Sequence, residues 1–202
     1  MIAGRVTGDV VAAGGDIEIS GRIDGSLQVL GGDVDVSGDV GGAVRILAGN
    51  VTISGQVGRD VVLAAGTLNL QGDGEVDGDV IVAGGEIELL GPVGGDVTGN
   101  VGSLTINSRV GGDVDVTGDD INLLSQARLQ GDFRYASREE AAFSVGANVA
   151  GETERTERER FYPGDNVGAW LTSGLFRLFC GLVAGSVLVL LLPRAVTAVA
   201  DA

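Results

Sequence analysis

A unit of about 17 residues recurs along most of this 202-residue chain, and it leaves few folds open. The stretch "GDVVAAGGDIEISGRID" starts at Gly8, "GSLQVLGGDVDVSGDVG" at Gly25 and "GAVRILAGNVTISGQVG" at Gly42. The register restarts at Arg59, Gly78, Gly95, Gly112 and Gly131. Two steps are longer than the rest, with small insertions read in Gln71–Gly78 and Leu123–Gly131. Apolar residues fall into four columns across the units. One column runs from Val10 through Leu27 and Val44 to Phe133, and a second from Ile17 through Val34 to Ile121. A third runs from Ile19 through Val36 to Leu123, and a fourth from Ile23 through Val40 to Leu129.

Within a unit, Ile17-Glu18-Ile19 and Val34-Asp35-Val36 alternate apolar with polar, which is the period of a half-buried strand. Glycine pairs such as Gly14-Gly15 and Gly31-Gly32 read as corners where positive φ permits a tight bend. No single unit buries its apolar face alone, but stacked coils do. The expectation is therefore an all-β chain: a parallel β-helix of about eight coils over residues 4–151. A β-sandwich or open sheet does not explain four columns that stay in register over so many units. Gly99 interrupts the pattern and predicts a distorted coil.

Composition narrows the function. The 28 acidic residues outnumber 13 bases, all of them Arg, for a net charge of −15. That balance opposes nucleic-acid binding, which needs a basic footprint. The acids read as solvated faces, and the Lys-free acidic surface resembles that of proteins from halophilic archaea. The chain contains no His, so His-based acid–base chemistry, triads and most zinc sites are excluded. Acids such as Asp33, Asp35, Asp39, Asp113, Asp115, Asp119 and Asp120 suggest calcium, but they lack the spacing of a calcium-binding repeat and read as surface acidity. No phosphate loop or dinucleotide fingerprint occurs. The expectation is no enzyme, no cofactor, no metal and no evident small-molecule substrate.

The last unit gathers Phe133, Tyr135 and Phe143, either as a plug on the open core or as a sticky terminus. With Val6 and Val10 at the opposite end, these are the candidate self-association residues. Residues 152–166, containing "ETERTERER", read as a charged linker or short exposed helix. Residues 167–193 read as one transmembrane helix, with Arg177 snorkelling and a short tail at 194–202. Trp170, Leu171, Leu175, Phe176, Leu178, Phe179 and Leu182 would supply the anchor's first half. Val183, Val187, Leu188, Val189, Leu190, Leu191 and Leu192 would supply its second. A buried core helix is the competing reading. The single Cys180 sits in this stretch and has no partner for an internal disulfide. Arg155, Arg158 and Arg160 precede the span, which favours a cytoplasmic rod if the N-terminus is complete; a signal peptide lost from a longer chain would place the rod outside.

The units "GGDIEISGRIDG" and "GGDVDVSGDVGG" resemble those of bactofilins, the polymer-forming cytoskeletal proteins, and of their haloarchaeal relatives. The resemblance covers residues 4–151. It implies a right-handed β-helix that polymerises without nucleotide into non-polar filaments, often at a membrane. Bactofilins usually touch the membrane through a short N-terminal segment, whereas here the span is C-terminal. The functional expectation is a membrane-anchored scaffold with itself and the lipid membrane as partners. The alternative is a membrane-anchored surface module that displays an acidic rod to another protein.

Overall fold

Residues one repeat apart stand directly above one another. Val10 pairs with Leu27, Leu27 with Val44, and Val44 with Val61, all in parallel register. The computed structural model describes residues 1–157, and these form an all-β parallel solenoid of about nine turns. No helix occurs among the described residues. Five consecutive turns carry ten-residue strands: Val10–Ile19, Leu27–Val36, Val44–Ile53, Val61–Leu70 and Val80–Leu89. A sixth such strand, Val97–Ile106, follows. At ~4.8 Å per strand, nine turns span about 40 Å.

Each long strand serves two walls. In Leu27–Val36 the inward residues are Leu27 and Val29 before the glycine pair, then Val34 and Val36 after it. The inward set changes parity, so the chain turns a corner at Gly31–Gly32 without leaving its hydrogen-bonded ladder. A two-residue strand on the third wall closes each turn, as with Arg22–Ile23 and Gln56–Val57. All four sequence columns point inward and are buried. A fifth joins them, from Val29 through Ile46, Leu63, Val82 and Val116 to Tyr135. The branched aliphatics that suit a pleated surface thus fill one continuous core.

The insertions lie where the sequence puts them. Gly74 N–H donates to Gln71 O at 2.9 Å, and Ala127 N–H to Leu124 O at 2.9 Å, each closing a small turn. Three expectations need correction. First, the paired glycines do not use positive φ. Only Gly4 and Gly146 do so among the described residues. Gly31 and Gly32 are there for close approach. A Cβ on Gly32 would lie 3.0 Å from Gly15 O, and one on Gly31 would lie 2.9 Å from Val34 Cγ2. Second, the coil containing Gly99 is not distorted. Val97–Ile106 runs unbroken, with Gly99 paired to Val82 on one side and Val116 on the other. The interruption comes one turn later, between Val114–Thr117 and Asp120–Leu123.

Third, the solenoid outlasts the 4–151 boundary. Ile2 already bridges Ile19. Beyond Gly151, Thr153–Glu157 is a strand paired with Phe133–Ser137, so the start of the expected charged linker is a ninth turn. The compact unit runs Met1–Arg158. Its last strand carries no apolar residue, and no further strand covers it among the described residues. The expected transmembrane helix over residues 167–193 lies outside the described residues.

Candidate assembly surfaces

The N-terminal end is open. Strand Val10–Ile19 is the outermost of its sheet. Ile2 covers only its far end: Ile2 N–H donates to Glu18 O at 2.7 Å, and Ser20 N–H returns to Ile2 O at 3.0 Å. Arg5–Val6 covers only the third wall, paired with Arg22–Ile23. Along the rest of Val10–Ile19 the backbone forms an unpaired edge, which is a template for another strand. Val10 is buried and Val6 half-buried at this end. Within the solenoid, glycines such as Gly32 make room for the turn on their N-terminal side. Gly8 and Gly15 occupy the same positions in the first turn, and a Cβ there would meet nothing within 4 Å. The stacking surface is thus repeated at an end where no turn among the described residues fills it.

An ion-pair cluster holds the short first strand. Arg5 Nη2 lies 2.9 Å from Asp24 Oδ2, and Arg22 Nε lies 3.2 Å from Asp24 Oδ1. The hydrogen bond from Arg5 holds the Asp24 carboxyl below its ordinary value; desolvation opposes this and Arg22 adds to it. A depressed carboxyl stabilises the folded state above its unfolded pKa of about 3.9, and that contribution is lost as pH falls through the lower folded value. Acidification through that window is therefore expected to loosen the first strand before the rest. Asp24 N–H, which donates to Val6 O at 2.8 Å, should exchange faster there. Asp77 N–H, which donates to Val57 O at 2.9 Å in an interior turn, is the control. Equal acceleration of the two amides counts against this role for the cluster.

The C-terminal end is mostly capped. Phe133 stacks on Tyr135 with centroids 4.7 Å apart and meets Phe143 edge-on at 6.0 Å. Phe133 and Tyr135 are buried beneath the ninth strand, opposite Thr153 and Arg155. They form the last aromatic layer of the core rather than its exposed face. Arg155 ends the fifth column, and its guanidinium donates to Arg138 O at 2.5 Å. One wall stays uncovered among the described residues. Ala142–Phe143 is its final strand among the described residues, with Phe143, stacked over Leu123, 48% exposed and Val145 98% exposed. Of the five candidate self-association residues, Val6 and Val10 therefore share one end, while Phe143 alone of the aromatic trio reaches the other surface.

The sides differ from one another. At one corner, acids form a ladder in which each carboxylate accepts the backbone N–H one turn above. Asp96 N–H donates to Asp79 Oδ1 at 2.8 Å, Asp113 N–H to Asp96 Oδ1 at 2.8 Å, and Asp132 N–H to Asp113 Oδ1 at 2.8 Å. These acids satisfy backbone donors that the corner leaves without a ladder partner. Among the described residues no group of three or more acids or thiols has the arrangement of a metal site. The wall carrying Glu18, Asp33, Asp35 and Glu88 is polar and acidic. The wall carrying Val11, Leu30, Leu47 and Ile81 is apolar on its outer side, with Val11 49% and Leu30 45% exposed.

That apolar face was missed in the sequence, although a signal exists. "VVAA", "LQVL", "VVLA" and "VIVA" lack the strict alternation of "DIEI" and "DVDV", so both faces of that wall carry apolar residues. No family model, curated protein or solved structure matches this chain.

Proposed function

We propose that this chain is a self-assembling structural scaffold, a bactofilin-like right-handed β-helix that stacks end to end without nucleotide and is held at a membrane by its C-terminal apolar segment. The supporting observation is the first turn. It offers an unpaired strand edge at Val10–Ile19 together with stacking glycines, Gly8 and Gly15, that none of the described residues fills. A partner's terminal strand adding there would gain backbone hydrogen bonds and cover Val10, Ala12 and Ile17. Phe143 and Val145 supply apolar surface at the opposite end. The acidic corner and wall discourage indiscriminate side-to-side contact, more strongly at low salt.

Gly15→Glu tests this. The added side chain enters open space, so the melting temperature of the isolated rod should not move. The charge would sit where the next rod must stack, so filaments seen by negative-stain microscopy in high salt should disappear. Filaments unchanged in number and length in the variant would sink end stacking, as would a wild-type chain that stays monomeric at every concentration.

A further inference from the structure

We propose that the apolar wall is a second, lateral self-association surface, where two rods lie side by side, pointing the same way and related by a two-fold axis parallel to their length. It rests on the scaffold reading only for its strength, not for its geometry.

Two outward columns define the wall. One reads Val11, Gln28, Arg45, Val62, Ile81, and the next reads Ala13, Leu30, Leu47, Ala64, Ala83. Both become polar beyond the fifth turn, at Thr98 and Asn100. No carboxylate points outward from either column over those five turns. On a chain of net charge −15, this is a side where two copies can approach without facing carboxylates across the gap. That selects a second copy as the occupant.

The columns also fit each other. A two-fold parallel to the rods sets the first column of one copy against the second column of the other at equal height. Val11 then meets Ala13 of the second copy, Val62 meets Ala64 and Ile81 meets Ala83: large against small at three of the five levels. Where the second column is large, at Leu30 and Leu47, the first carries the half-buried Gln28 and Arg45, long side chains with apolar stems to set against it. The other face-to-face arrangement, with rods opposed, sets Arg45 against its own copy and Val11 against Ile81. It loses both the size match and the charge separation.

The area says when pairing matters. Five turns by four residues give roughly 300 Å² per copy, well short of the ~800 Å² per partner of a stable interface. A single rod therefore pairs weakly. Rods joined end to end, or confined in one membrane, bring many such patches into register, and pairing strengthens by effective concentration.

Cross-linking of the full chain tests it. In a Cys180→Ser background, Leu47→Cys should give a covalent dimer with a short bismaleimide, at concentrations where filaments form. Thr52→Cys, on the polar wall, should not. Adding Leu30→Asp to the Leu47→Cys chain should abolish the dimer, and the milder Leu30→Ser should reduce it while the circular-dichroism melt is retained. Equal dimer yields at positions 47 and 52, or none at 47 in paired filaments, would overturn the proposal. So would a Leu47→Cys chain that labels vesicle lipid in place of itself, since the occupant would then be the bilayer. Microscopy separates this from end stacking. Filaments one rod wide with no dimer sink the wall alone, and a Leu47 dimer without filaments sinks end stacking alone.

Discussion

Gly55→Ala is expected to destabilise the solenoid by about 3 kcal/mol, at the upper end of the range for overpacking a close-packed site. Gly15→Ala should change stability by less than about 0.5 kcal/mol, as surface substitutions do. Both positions are glycine, and neither has positive φ. The difference is what lies on the N-terminal side. A Cβ on Gly55 would overlap the Gly38 carbonyl oxygen and lie 2.6 Å from its carbon and 3.1 Å from Ser37 C, all backbone. Relief requires two turns to separate, which stretches the ladder bonds beside them, such as Ser54 N–H to Val36 O at 2.9 Å. Gly15 has nothing within 4 Å to displace. Urea denaturation of the two variants is the measurement. Similar losses at both positions would mean that conformational freedom, not stacking distance, sets the need for glycine.

That comparison also marks where the sequence was legible and where it was not. The columns of Val, Ile and Leu could be read because burial imposes identity at a fixed interval. Ile17, Val34 and Val51 have no other reason to recur. The glycines recur as regularly, but their identity has two physical causes. Absence of a Cβ serves positive φ and close approach alike, and only the position of the neighbouring turn decides between them. The ninth turn was hidden for a different reason. Thr153–Glu157 covers the core and is itself uncovered among the described residues, so the apolar signal vanishes at that strand. Two marks survived there: Gly151 stands over Gly131, and Val149 pairs with Leu129.

The ends show the same logic in the candidate site. Val6 and Val10 were legible as a pair because they flank the start of the first unit at Gly8. The aromatic trio was not separable by sequence. All three belong to inward columns, Phe143 standing over Leu123, but Phe143 lies on a wall whose next strand is absent among the described residues. Which member of a cluster faces out depends on how far each wall extends, and the walls stop at different heights.

Phe133→Ala should cost about 3–5 kcal/mol, as for other fully buried aromatics, but the damage should stay local. Phe133 has no exposed surface, and it touches both other rings of the trio. Its loss removes the layer on which the ninth strand and the Ala142–Phe143 wall rest. Turns in a solenoid are coupled chiefly to their neighbours, so a terminal defect frays the end rather than unfolding the whole. Amide exchange should report this directly. Protection should fall at Ala150 N–H, which donates to Leu129 O at 2.9 Å, and at Gly151 N–H, which donates to Gly131 O at 3.2 Å. Val44 N–H, bonded to Asp60 O at 2.9 Å, and Val61 N–H, bonded to Asp79 O at 2.8 Å, should keep theirs. Phe143 would lose the ring that orients it, so filament growth through that end should weaken while wall pairing at Leu47 persists. A uniform fall in protection from Val44 to Gly151 would show instead that the nine turns unfold as one cooperative unit, and that neither end can be altered without the other.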